Sequence, residues 1–185
     1  MKDQKNYFRI LSSLNTISPK SLDQARLFAL EHELIPKSFF VKQGSGSSSP
    51  VVAVLIGGPN EDCSHNTERM VNRLARLVDV QNCRILISFS QRTAESTKRA
   101  IRQRLVDNAV KSGNEDKVFL YDPMAAKIAD QSSVSAIDWE KVPGPKGVLG
   151  FTSEHNPYEA MLALADKIVV SADSVAMTND ALATG

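Results

Sequence analysis

Residues 51–60 read Val51-Val52-Ala53-Val54-Leu55-Ile56-Gly57-Gly58-Pro59-Asn60, an unbroken apolar run that ends on a pair of glycines. A stretch that is apolar at every position, with no polar alternation, suits a strand covered on both faces, as strands inside a parallel sheet are. The Gly-Gly-Pro-Asn that follows ends the strand in a loop. Everything downstream is then read for the alternation of strand and helix that a parallel sheet requires.

That alternation is present. Met70, Val71, Leu74, Leu77 and Val78 recur at helical spacing, with Arg69, Arg73 and Arg76 elsewhere on the turn, which predicts an amphipathic helix. Arg84–Phe89 (RILISF) predicts a second strand, and Ser90-Gln91-Arg92-Thr93 a loop whose Thr93 caps a helix running to about Lys111. Ile101, Leu105 and Ala109 form its inner stripe. After the Ser112-Gly113-Asn114 break, Lys117–Tyr121 (KVFLY) predicts a third strand. Residues 122–155 carry scattered Ser, Pro and Gly, including Pro143-Gly144-Pro145, and read as an inserted excursion. Asn156-Pro157 opens a further helix with Tyr158, Met161, Leu162 and Ala165 on its buried stripe. Lys167–Ala172 (KIVVSA) then predicts a fourth strand, and Asp173-Ser174 leads into a last helix bearing Val175, Met177, Ala181 and Leu182.

Upstream, Phe8–Ser13 reads as a strand, and Ser18-Pro19 followed by Leu22, Ala25 and Phe28 as a helix start. Gln43–Ser49 (QGSGSSS) reads as a flexible linker. The expected fold is therefore α/β: a Rossmann-like three-layer α/β/α sandwich around a parallel sheet joined by right-handed crossovers. The expected organisation is a preceding strand and helix over 1–42, the linker over 43–50, and the Rossmann-like domain over 51–185 with an insertion at 123–155.

Length and composition agree with one globular domain, or one and a fraction. The chain has 185 residues, 42% hydrophobic and 23% charged, so neither wholesale disorder nor a disulfide-built miniprotein is indicated. With 22 Lys+Arg against 21 Asp+Glu the formal net charge is +1, and no global field favours nucleic acid or an acidic surface. The longest apolar runs fall far short of the roughly 20 residues of a membrane span. Residues 1–20 lack a secretory-signal pattern. Cys63 and Cys83 have no metal-binding spacing, no disulfide is expected from them, and His32, His65 and His155 form no ligand pattern.

In open parallel sheets, ligands sit outside the carboxyl ends of the strands. Those ends carry Gly57-Gly58, Ser90-x-Arg92-Thr93 and Asp173-Ser174. The glycines permit close backbone approach to a phosphate; they equally suit a tight turn with positive φ angles. The Arg92 guanidinium can meet a phosphate or carboxylate, with Ser90 and Thr93 adding hydroxyls; a surface arginine behind an N-cap threonine accounts for the same residues. Asp173 or Ser174 can cap the last helix. Asp180 on that helix is a candidate for ribose hydroxyls if it faces the cleft, and otherwise an ordinary solvent-facing carboxylate. Lys98, Arg99, Arg102 and Arg104, without interleaved aromatics, read as a solvated helix face and not a nucleic-acid site. No nucleophile and base can be paired from the sequence.

Three motifs together resemble one family: Ile56-Gly57-Gly58-Pro59; Ile87-Ser88-Phe89-Ser90-Gln91-Arg92-Thr93; and Asn156-Pro157-Tyr158 through Leu164-Ala165-Asp166 to Ile168-Val169-Val170-Ser171-Ala172-Asp173-Ser174-Val175-Ala176-Met177. In this order they resemble the mitochondrial-fission family named for elongated mitochondria in plants, over most of residues 8–185. The resemblance implies the second, nucleotide-sugar-holding domain of a two-domain GT-B glycosyltransferase fold. It places Gly57, Gly58, Ser90, Arg92, Thr93, Asp173 and Ser174 beside the nucleotide diphosphate and Asp180 near the ribose. It also implies a cytoplasmic protein, peripheral at the mitochondrial outer membrane, that helps localise a dynamin-related GTPase. Under the same resemblance, a glycosyltransferase using a nucleotide-diphosphate sugar is the alternative, with no further cofactor required. Two departures stand out: Asp180 takes the place of a family Glu, and Gln91 that of a frequent Arg. The amino-terminal Rossmann-like domain and a continuation after Gly185 are expected to lie outside this chain.

Overall fold

In the computed structural model, residues 16–41, 49–61, 66–124 and 156–185 are described. Four parallel strands, β1 (Val51–Ile56), β2 (Arg84–Phe89), β3 (Val118–Tyr121) and β4 (Lys167–Val170), form a sheet in the order β3-β2-β1-β4. The α-helices whose bounds lie among the described residues are α1 (Pro19–Glu31), α2 (Thr67–Asp79), α3 (Glu95–Ser112), α4 (Tyr158–Leu164) and α5 (Val175–Leu182). The α/β architecture with a parallel sheet is as the sequence predicts. Chain order runs outward from β1 to β3 and then returns across β1 to β4, so the direction of winding reverses between β1 and β4.

Side-chain alternation splits the core in two. Val52, Val54 and Ile56 of β1, with Ile85, Ile87 and Phe89 of β2, pack beneath Val71, Leu74 and Val78 of α2 and Ile101 and Leu105 of α3. On the other face, Val51, Leu86, Phe119 and Tyr121 meet Ala29 of α1, the Leu34–Phe39 turn, and Ala160 and Met161 of α4. All residues of β1 and β2 are buried, which is why β1 is an apolar run without alternation; in β2 the buried Arg84 and Ser88 are the polar exceptions. In β4 the pattern is different: Lys167 and Val169 are exposed and Ile168 and Val170 half-buried.

Local signals explain most boundaries. Ser18 caps α1 in a reciprocal box with Ser21, and Pro19 opens the helix. Asn66 caps α2 by accepting from the Arg69 amide at 2.8 Å. The Asn156 side chain accepts from the Tyr158 amide at 2.9 Å, so α4 begins just after the Asn-Pro pair. The expected strand at Phe8–Ser13, residues 43–48 of the 43–50 linker and all but the first two residues of the 123–155 insertion lie outside the described residues, as does Cys63. Cys83 is buried, and burial pushes its thiol pKa up more than the charge of Lys167 lowers it.

One buried charge joins the sheet to the chain before it. Arg84, 5% exposed, donates from Nε to the Ser49 carbonyl at 3.1 Å and from Nη1 to the carbonyls of Val41, at 3.1 Å, and Ser38. Asp166, just before β4, accepts from the Val51 amide through its carboxylate at 2.8 Å and donates its own amide to the Val51 carbonyl at 2.8 Å. These bonds align β4 with the start of β1.

Candidate functional site

The carboxyl ends of β1, β2 and β4 converge. Thr93 holds two of them together. Its hydroxyl lies 2.8 Å from the Ile56 carbonyl and 2.7 Å from the Gly57 carbonyl, sharing one hydrogen between them, and it accepts from the Ser90 amide at 3.0 Å. The expectation that Thr93 caps α3 is therefore corrected: α3 begins at Glu95, and the Thr93 side chain, 5% exposed, is spent on the neighbouring strand end. A hydroxyl so placed satisfies carbonyls that have just left the β-ladder.

Gly57 and Gly58 are both buried, and neither has a positive φ. The reason for glycine is space. A Cβ on Gly57 would overlap the Asp173 carboxylate, 2.7 Å from its Cγ; a Cβ on Gly58 would strike the carbonyl of Arg92 and come within 2.6 Å of the Arg92 Cβ. The positive-φ turn considered for this pair is thereby replaced by close approach of three chain segments. The Gly57 amide donates to Ser171 Oγ at 2.7 Å, which ties β1 to β4 at the same level.

Arg92 is exposed, and its Nη2 reaches toward the Asp173 carbonyl at 3.5 Å, while Asn60 Nδ2 donates to the same carbonyl at 3.3 Å. The Arg92 amide donates to Ser90 Oγ at 3.1 Å, and Ser90 Oγ lies 3.2 Å from Thr93 Oγ1. Asp173 is 4% exposed. Ser174 caps α5, accepting from the Met177 amide at 3.4 Å. Gly57, Gly58, Ser90, Arg92, Thr93, Asp173 and Ser174 thus lie at one edge. Chemically, that edge offers an exposed guanidinium, a half-buried serine hydroxyl and a buried carboxylate. This set suits a polar ligand carrying both anionic and hydroxyl groups.

Asp180 stands apart from these bonds. Its Oδ2 accepts from the Tyr158 hydroxyl at 3.0 Å, which links α5 to the start of α4. Burial raises the Tyr158 pKa, and the Asp180 charge and hydrogen bond raise it further.

Sequence reasoning missed a second feature of this edge. Lys98 on α3 is 4% exposed, and its Nζ lies 2.9 Å from both carboxylate oxygens of Asp122, the residue after β3. The solvated reading of this helix face is corrected at Lys98. A charged residue directly after a buried strand was the available signal for Asp122. Asp122 Oδ1 also accepts from the Met124 amide at 3.0 Å, so the pair holds the chain leaving β3. Ser171 and Asn60 were likewise not singled out, although Ser171 lies inside the third motif. Among the described residues no group of His, Cys, Asp and Glu has the arrangement of a metal site.

The family model for mitochondrial fission ELM1 matches residues 1–136 and 130–185, which together span the chain. The chain belongs to that family. No curated protein and no solved structure matches it. For the ELM1-family chain, family membership gives a protein of mitochondrial fission, and the parallel sheet gives the α/β frame on which its candidate site is built.

Proposed function

We propose that this chain is an adaptor in mitochondrial fission that helps localise a dynamin-related GTPase at the mitochondrial outer surface, and that its Rossmann-like domain has the character of a nucleotide-sugar-binding domain of the GT-B kind. The observation that carries the reading is the match of the fission family model across the whole chain. No helix among the described residues is long and apolar enough to cross a membrane, and the proposed association is peripheral. Depletion of the protein tests this directly. The expected result is elongated mitochondria with less GTPase on their surface; unchanged length and unchanged recruitment would sink the adaptor reading.

The alternative is a glycosyltransferase, or the donor-holding part of one, that uses a nucleotide-diphosphate sugar. What favours it is the convergence of Gly57, Gly58, Ser90 and Arg92 at the carboxyl edge of the sheet. In this reading the Arg92 guanidinium takes the diphosphate and stabilises charge on the leaving group, and Ser90 adds a hydroxyl. Thr93 and Ser174 hold the surrounding backbone, and Asp173 accepts from hydroxyls of the ligand. Asp180 reaches a ribose only by exchanging or sharing its bond to Tyr158. Calorimetry with UDP, GDP and their sugars provides the test. Binding that Arg92→Ala weakens supports the donor site, and the absence of binding by every nucleotide removes it.

A further inference from the structure

A parallel sheet is stable when both its faces are covered, and the described residues leave one part of this sheet open. On β1, Val54 is 4% exposed beneath α2; its register partner on β4, Val169, points to the same face and is 49% exposed. Between α2 and β4 runs an open groove of about 1010 Å³, with Val54, Met70, Leu74, Leu77 and Val169 among its apolar lining. The α2 side of this groove carries Arg69, Arg73 and Arg76, all exposed and spaced four and three residues apart. None of these three arginines forms an ion pair with a described residue. Among the described residues the only acidic one lining the groove is Asp173, which is buried at its far end.

From this combination we infer that the groove receives an acidic amphipathic helix from a partner polypeptide. Its apolar stripe lies on Val169 and Val54, and its glutamates or aspartates face Arg69, Arg73 and Arg76. The shape argues for a helix. Helices pack about 10 Å apart, so a helix beside α2 falls over β4, the strand that α2 leaves bare. The length follows from α2, whose 13 residues extend about 20 Å, so the partner helix has three to four turns. The charge argues for acid, because arginines at i, i+4 and i+7 present one basic edge, and a partner bearing acids at the same spacing meets each of them. The groove reaches Ser171, Ala172 and Asp173, so the bound helix also forms one wall of the carboxyl edge. This inference is independent of the fission and nucleotide readings.

The test uses the 185-residue chain and fluorescent amphipathic peptides of about 16 residues. All have leucines at i, i+3, i+4 and i+7; one has glutamates along the flanking edge, the second lysines there, and the third is the glutamate peptide with its leucines changed to serine. Anisotropy should show binding of the first peptide alone, weakened roughly tenfold or more when salt rises from about 0.05 to about 0.5 M. The triple variant R69E/R73E/R76E alters only exposed side chains, and its fold is checked by circular dichroism. It should lose the glutamate peptide and gain the lysine peptide, and V169E should weaken binding of the glutamate peptide. Equal binding of both charged peptides, no binding of the glutamate peptide, or binding unaffected by the triple reversal overturns the proposal. So does sedimentation showing a dimer that V169E dissociates, since the occupant is then a second copy of this chain.

Discussion

The carboxylate of Asp173 fills the space that a side chain on Gly57 would need. Two residues from opposite ends of the domain are thereby fitted to each other, and β1 and β4 leave the sheet in contact. Gly57→Ala forces the carboxylate aside and is expected to cost about 1–3 kcal/mol in urea unfolding, the usual range for overpacking. Because the obstacle is a side chain, Asp173→Ala in the same chain should recover part of that loss in a double-mutant cycle. Gly58→Ala meets the Arg92 backbone instead. It should be at least as damaging, and Asp173→Ala should not relieve it.

The Lys98–Asp122 pair is nearly closed to water, with side chains 5% and 9% exposed. Removing one member leaves the other charge buried without its partner, so Lys98→Met or Asp122→Asn is expected to lower unfolding free energy by about 3–5 kcal/mol. The double replacement Lys98→Met/Asp122→Leu leaves no uncompensated charge. It should be less destabilised than the sum of the single changes, and a purely additive result would contradict the pairing.

Arg84 binds three carbonyls that precede β1. Lysine can supply one charge there but not the guanidinium's fork of donors. Arg84→Lys is expected to cost about 1–3 kcal/mol. Faster amide exchange or proteolysis in the chain around Ser38–Val41, with little change in α3, is the accompanying signature.

These cases separate what the sequence discloses from what it conceals. β1 and β3 were legible because burial on both faces leaves an uninterrupted apolar run, and β2 because Ile85, Leu86, Ile87 and Phe89 stay apolar around a single buried Ser88. Ser18 was legible because a cap acts within three residues of itself, and Asn156 because, just before the helix, its side chain accepts from an amide only two residues on. Thr93 was misread for the opposite reason: a threonine before a helix looks like a cap, yet its partners are 36 and 37 residues away. Lys98 was misread because helical position alone does not reveal that an aspartate ends the adjacent strand. The position of the candidate site followed from sheet topology, and its glycines were singled out by their place at the end of β1. That their spare volume is taken by Asp173 and by the Arg92 backbone depends on contacts no local pattern encodes. The uncovered face of β4 was equally hidden, since KIVV reads the same whether or not a helix lies over it.

Tyr158 gives a pH dependence with a definite sign. Burial, then the Asp180 charge and hydrogen bond, raise its pKa above the ordinary value of 10.0. In the unfolded chain the phenol loses its proton near that ordinary value, while in the native protein it keeps it. Above pH 10 the native state therefore binds more protons than the unfolded state, and stability must fall as pH rises. Below the unfolded pKa the contribution is fully present and flat. Tyr121 adds a change of the same sign, its pKa raised by burial and then by Asp122. Urea unfolding between about pH 8 and 11 should show stability level at first and then declining. Tyr158→Phe should be less stable at pH 8 by about 1 kcal/mol, for the lost bond to Asp180, and its decline at high pH should be shallower, with the remainder attributable in part to Tyr121. A Tyr158→Phe curve parallel to that of the unmodified chain above pH 10 would show that this phenol ionises alike in both states.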